Sequence, residues 1–201
     1  MRFSLTALFL SICFLVQGQV DSSHIIKVHF LYGSKPERKF KDSEKKYFGG
    51  MHGGHVSIQV DSVDYGFSPC GKVHIFSHRN NHHCEFKSKH TPNQNVYPKG
   101  CKVVTFFIPL TEEQYKEINK IENDYCSNVP YDYAFFGMRC AASAQDVLGQ
   151  IGIVEKRKRL RNIYSTFYPK KLRKRMFKLA VEKKYTFETQ NGKVTRKWEK
   201  D

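Results

Sequence analysis

The sequence predicts an α+β protein, with strands in the first half of the chain and helices mainly in the second. Three observations predict this class. Short β-branched and aromatic runs bounded by turn residues fill residues 25–110, and apolar residues at helical spacing begin after Thr111. Hydrophobic residues make up 40% and aromatic residues 14% of the 201 positions. Because this composition is too apolar for a disordered chain, a folded core is expected.

Four segments have the β-branched and aromatic content of strands: Ile25–Tyr32, His55–Val60, Val73–Phe76 and Cys101–Leu110. The second of them alternates with period two, and a turn centred on Ser62–Val63 leads into Tyr65–Phe67, which predicts a hairpin. Residues 77–100 are rich in His, Asn, Lys and Pro and are predicted to form a long loop.

Two helices are predicted after the strands. Thr111 caps the first, because Gln114 three residues later completes a capping box and apolar residues follow at helical spacing. The second is predicted at about Arg139–Leu148, and Gly149 and Gly152 are expected to end it. Its start holds Cys140.

The N-terminus has the pattern of a secretory signal peptide. Met1–Arg2 precedes an apolar run from Phe3 to Val16, which is too short to span a bilayer. Gly18 fits cleavage before Gln19. We therefore expect residues 1–18 to be removed and the protein to be secreted or periplasmic.

The C-terminal segment carries most of the positive charge. The chain has a net charge of +15, and residues 155–201 contain 17 Lys and Arg against 5 Asp and Glu. A helix from Pro169 and a hairpin at Asn191–Gly192 are predicted there. The expected organisation is a signal peptide (1–18), a folded domain (19–153) and a basic helical and hairpin extension (154–201).

This charge favours anionic partners, and export favours an envelope polymer or a lipid surface over a specific nucleic acid. The alternative interpretation is a solvated charged helix face. The oligomeric state cannot be read from the sequence.

A cysteine and a histidine carry the chemistry that the sequence suggests. A thiol attacks a carbonyl group as the thiolate, and a helix N-terminus and a neighbouring imidazole both favour that form. Cys140 opens the second helix, whose small residues Ala141–Ser143 let it lie close to the sheet, and His55 opens a strand after two glycines. Taken singly, such a cysteine is more often structural and such a histidine more often a surface residue.

The order of these segments narrows the interpretation. Gly54–Val60 precedes a hairpin, and Tyr131–Leu148 places Cys140 at the head of an Ala-rich helix. This pattern resembles the circularly permuted papain-like superfamily of NlpC-type amidases and peptidases, with lecithin retinol acyltransferase-like relatives. The resemblance covers roughly residues 25–153. It implies an antiparallel sheet packed against helices, with the His strand before the Cys helix, Cys140 as nucleophile and His55 as general base.

The third catalytic residue of that family, which orients the imidazole, has no clear counterpart here. Gly66 or Phe67 falls near its position. Ser68, Tyr65 and Gln59 are the nearest polar residues, and Ser68 and Gln59 share the predicted side of the sheet with His55.

No cofactor or metal is expected. His78, His82, His83, Cys84 and His90 are ligand types, but their spacing matches no standard site. The glycine run before His55 lacks the Lys-Ser/Thr ending of a phosphate loop.

Removal of the signal peptide leaves five cysteines, an odd number in an exported chain. We expect disulfides among the other four, with Cys140 outside any bridge. Three pairings are open, and the weak preference is Cys70 with Cys84 and Cys101 with Cys126.

Together these features predict an exported thiol hydrolase or acyltransferase acting on an amide, ester or thioester of a peptide or acylated substrate, with a cell-envelope peptide as one candidate. The alternative is a secreted, non-catalytic binding protein on the same scaffold that docks to anionic surfaces.

Overall fold

The computed structural model describes residues 24–33, 54–91, 97 and 99–194. Their arrangement is α+β, as the sequence predicts, with a six-stranded antiparallel sheet and four helices. The predicted signal peptide lies outside the described residues.

The sheet is built from strands β1 (His24–Leu31), β2 (His55–Val60), β3 (Val63–Pro69), β4 (Cys84–His90), β6 (Val103–Leu110) and β7 (Thr186–Gln190). Their order is β4-β3-β2-β1-β6-β7, and every neighbouring pair is antiparallel. A separate parallel pair joins β5 (Gly100–Cys101) to β8 (Gly192–Lys193).

The helices are α1 (Glu112–Ser127), α2 (Cys140–Gln150), α3 (Arg159–Ser165) and α4 (Pro169–Lys183). The predicted capping box of α1 is confirmed, since Thr111 Oγ1 accepts from Gln114 N and Gln114 Oε1 accepts from Thr111 N. The α4 stripe of Leu172, Met176 and Ala180 is buried in the main core.

Alternation along the central strands separates an apolar face from a polar one. Val56 and Ile58 of β2 belong to the core that includes Ala141 and Ala144 of α2. Residues two apart share a face, so His55 and its odd-numbered neighbours on β2 point to the other side of the sheet. Helix α2 therefore packs on the apolar face.

Three predictions about the strands are wrong in detail. The hairpin turn is centred on Asp61–Ser62, since Val60 pairs with Val63. Segment Val73–Phe76 is not a strand and contributes only an isolated bridge. The predicted loop at residues 77–100 contains β4, a strand at the edge of the sheet. Apolar and charged residues alternate at its start, but the strand as a whole is polar in composition and resembles a loop.

The C-terminal segment joins the main sheet, because β7 pairs with β6. Gly192 pairs with Gly100, and most of the second strand of the hairpin predicted at Asn191–Gly192 lies outside the described residues. Among the described helices, none combines the length and the apolar character needed to cross a membrane.

Candidate active site at the start of helix α2

Cys140 is the first residue of α2, an 11-residue helix, and its side chain is largely buried at 7% exposure. Arg139 occupies the N-cap position in an extended conformation, without a side-chain hydrogen bond to the helix. The partial positive charge of the helix N-terminus therefore acts on the thiol, as the sequence predicts for Cys140.

A buried guanidinium lies next to this thiol. Arg139 stacks 3.5 Å above the Phe167 ring and donates a hydrogen bond to the Phe167 carbonyl oxygen. Burial lowers the pKa of Arg139, and the charge of Cys140 opposes that shift. Cys140 carries a charge only as the thiolate, so the positive guanidinium and a Cys140 thiolate stabilise each other.

Tyr133 is the other close partner of Cys140. Its hydroxyl interacts with both the backbone N–H and the side chain of Cys140. Burial raises the pKa of Tyr133, so the hydroxyl stays protonated at neutral pH. It can therefore donate to the sulfur, and it contacts the backbone N–H that would bind a substrate oxyanion in an acyl-transfer enzyme.

His55 opens β2, and its ring lies over Gly66 of β3. A Cβ at residue 66 would be 2.9 Å from His55 Nε2, so this ring position requires a glycine. Burial lowers the pKa of His55 to about 4. The imidazole is therefore neutral at pH 7.

Cys140 lies near β2 close to the end that His55 opens, because it shares a cavity with Ser57, two residues after His55. Cys140 and Ser57 line one cavity of about 10 Å³, the size of a single water molecule. The pairing of β2 with β3 runs from Val60–Val63 to Ile58–Tyr65 and does not reach His55.

Gln59 acts on a different histidine. Its Oε1 accepts a hydrogen bond from His29 Nε2 at 3.1 Å, while its Nε2 donates to the Asp61 carbonyl oxygen. His29 Nδ1 lies 2.9 Å from Thr105 Oγ1. Gln59 thus orients His29, on the same polar face as His55 but further along the sheet.

Ser68 shares the polar face with His55 and pairs with Glu85 of β4. Extending the β2–β3 register places Ser68 level with His55, and no hydrogen bond joins the two in the described part of the chain. The position opposite Ser57 is Gly66, which lacks any polar side chain.

Two buried acids and a tyrosine near Cys140 were not singled out by the sequence. Ser57 Oγ lies 3.2 Å from the Tyr97 hydroxyl and also hydrogen-bonds Asp64. Burial raises the pKa of Asp64 to about 6 and that of Glu122 to about 8. Glu122 lines the cavity with Cys140. Of these residues, only Ser57 could have been picked out from the sequence, because it lies two residues after His55 on the same strand.

The His-rich segment has a structural centre. Asp132 accepts hydrogen bonds from His74 Nδ1 at 2.5 Å and from the backbone N–H groups of His78 and His83, both at 3.0 Å. Within the described residues, no group of three or more His, Cys, Asp or Glu is arranged to hold a metal ion.

No disulfide joins any of the five described cysteines. Cys70 lies beside Cys84, since Cys70 N donates to the His83 carbonyl oxygen and the two thiols interact electrostatically. Cys101 and Cys126 belong to different apolar clusters. The first predicted pair is thus close in space.

Comparison of the chain with protein-family models, with curated proteins and with solved structures finds no match.

Proposed function

We propose that the chain is an exported thiol hydrolase or acyltransferase of the circularly permuted papain-like type, acting on an amide, ester or thioester of a peptide or acylated substrate. Cys140 is the nucleophile and His55 the general base. The observation that carries the proposal is the surroundings of Cys140: the N-terminus of α2, the Arg139 guanidinium and the Tyr133 hydroxyl.

In the reaction, His55 accepts the proton of the Cys140 thiol, and the thiolate attacks the substrate carbonyl carbon. The oxyanion of the tetrahedral intermediate lies near the backbone N–H of Cys140, which requires the Tyr133 hydroxyl to move aside. The imidazolium then protonates the leaving amine, alcohol or thiol. Water or another acceptor releases the acyl group from the resulting thioester and restores the thiol.

The pKa of His55 sets a condition on this step. Proton transfer from an ordinary thiol, with a pKa near 8.5, to an imidazole with a pKa of about 4 costs about 6 kcal/mol. Arg139 and the helix N-terminus reduce this cost by stabilising the thiolate. Water or substrate reaching the His55 ring would reduce it further by solvating the imidazolium.

Labelling with iodoacetamide at pH 6 tests the pair. The wild-type protein is expected to label at Cys140 faster than an ordinary thiol, and His55→Ala should slow that labelling at least tenfold. Cys140→Ser serves as the blank. Cys126→Ser and His90→Ala are matched controls that should leave the rate at Cys140 unchanged. Equal rates in the wild type and His55→Ala would eliminate His55 as the base.

A second candidate is a secreted binding protein on the same scaffold that docks to anionic polymers or surfaces. A groove of about 600 Å³ between α2 and α4 favours it weakly: Arg157, Arg175 and Lys178 line the groove, but so do Glu155 and Glu182, and Glu155 pairs with Arg157. The absence of a polar side chain at Gly66 also favours it. Slow labelling of Cys140 together with salt-sensitive binding to an anionic polymer would select this function.

A further inference from the structure

Four exposed apolar side chains project from two adjacent loops near Cys140: Val73, Ile75, Phe76 and Phe136. We refer to them as the apolar tip. Ile75 is 64%, Phe76 67% and Phe136 54% exposed, and the two phenylalanine rings stack at 5.7 Å. A contiguous exposed patch of this kind marks an interaction surface more often than isolated surface residues do.

Hydrogen bonds fix the apolar tip in its exposed position. Phe135 N donates to the His74 carbonyl oxygen at 2.7 Å, and Phe136 N donates to the Ile75 carbonyl oxygen at 2.9 Å. Behind these loops, the buried Asp132 carboxylate binds the His74 ring. Hydrogen bonds therefore hold the backbone of the tip in place while its apolar side chains remain exposed.

An aromatic row continues from the tip to the start of α4. Phe136 contacts Phe135 at 4.6 Å, Phe135 contacts Phe167 at 5.8 Å, and Phe167 contacts Tyr168 at 4.9 Å. Pro169 follows Tyr168 as the first residue of α4. The row thus links the exposed phenylalanines to the first turn of that helix.

Cations lie at both ends of this row. Lys72 and Arg79 flank the tip in its own loop and are exposed. Lys171 and Lys174 are exposed in the first turns of α4. Exposed Phe and Ile side chains bordered by Lys and Arg are typical of protein segments that enter the interface of an anionic membrane. The net charge of +15 adds long-range attraction to such a surface.

We propose that the apolar tip inserts into the interfacial region of an anionic lipid bilayer, with the lysines of the first turns of α4 against the headgroups. This orientation places the N-terminus of α2 beside the membrane, because Arg139 stacks on Phe167 of the same aromatic row. The proposal does not depend on the reactivity of Cys140, so labelling experiments at that residue and vesicle experiments at the tip can fail separately.

Fluorescence quenching by brominated lipids tests insertion at the tip itself. The full chain has one tryptophan, so Trp198→Phe provides a background without indole fluorescence. Phe76→Trp and Val181→Trp then each add one indole, the latter at an apolar position that is 82% exposed on α4. With vesicles of phosphatidylcholine and phosphatidylserine, brominated acyl chains should quench the Phe76→Trp protein at least twice as strongly as the Val181→Trp control. Because the signal is local, attachment through another segment of the chain would not produce this difference.

Charge reversal tests the headgroup contact. Lys171→Glu should weaken binding to phosphatidylserine-containing vesicles about fivefold or more, while Lys183→Glu, at the other end of α4, should have a smaller effect. Unchanged thermal unfolding would confirm that the variants fold. Equal quenching at the two indole positions, or no binding of the wild type to anionic vesicles, would overturn the proposal. Binding without quenching at position 76 would overturn insertion and indicate charge attraction alone.

Discussion

Replacing the buried acid Glu122 by glutamine should raise the stability of the protein at neutral pH. Glu122 is 1% exposed, and its Oε2 has no hydrogen-bond partner. Burial, with a smaller contribution from the charge of Asp64, raises its pKa from 4.5 to about 8. Glutamine is neutral and has nearly the same shape. It replaces an acid that must either ionise in the protein interior or stay protonated at a pH above its ordinary pKa.

The pH dependence follows from the sign of this shift. An acid whose pKa is raised by folding favours the folded state fully below its unfolded pKa, and this advantage is lost as the pH rises toward the folded pKa. Asp64 makes the same kind of contribution only up to about pH 6. His29 and His55, whose pKa values burial lowers to about 4, raise the stability as the pH rises to about 6.5, in the wild type and in the variant alike. The difference between the two proteins from pH 6 to 8 therefore reports Glu122 and amounts to about 2.3 kcal/mol, because a group with a pKa of about 8 is half ionised at pH 8.

Urea unfolding at half-unit steps from pH 5 to 8 measures this contribution. The wild type should lose about 2.3 kcal/mol more than Glu122→Gln between pH 6 and 8. Glu117→Gln, an exposed substitution on the same helix, is the control and should follow the wild-type curve. Parallel curves for the wild type and Glu122→Gln would show that Glu122 is not a buried, raised-pKa acid.

Three further predictions concern the site and its support. Gly66→Ala should change the free energy of unfolding by less than about 1 kcal/mol, because the closest atom to the added Cβ is at the flexible end of His55. The same substitution should slow alkylation of Cys140 if His55 is the base. Asp132→Asn should destabilise the protein by about 2–3 kcal/mol in urea unfolding, since a buried carboxylate loses charge-assisted hydrogen bonds; a change below about 0.5 kcal/mol would contradict this. Alkylation of the unreduced protein followed by peptide mapping should label Cys140. A disulfide to Cys140 in most molecules would instead favour the binding-protein function.

The fold class and most elements could be predicted because they depend on local signals. The capping box at Thr111, the period-two run of β2 and Pro169 at the start of α4 each determine structure within a few residues. Strand β4 was missed because only Cys84 and Phe86 are buried on it. An edge strand of this kind differs little from a polar loop in composition.

The site was only partly predictable, because contacts between distant segments are set by sheet register. The position of Cys140 at a helix start is local and was predicted correctly. The partnership of Gln59 with His29 depends on how β1 pairs with β2, which no short-range pattern encodes. The ring of His55 over Gly66 likewise depends on the β2–β3 register, and the sequence placed that turn one residue too late.

A single short segment connects the proposed chemistry to the proposed membrane contact. Asp132 anchors the loop that carries Ile75 and Phe76, Tyr133 contacts Cys140, and Phe136 belongs to the exposed tip. Isolated bridges join this segment to His74 on one side and to Met138, two residues before Cys140, on the other, so the exposed tip and the start of α2 share one hydrogen-bonded support.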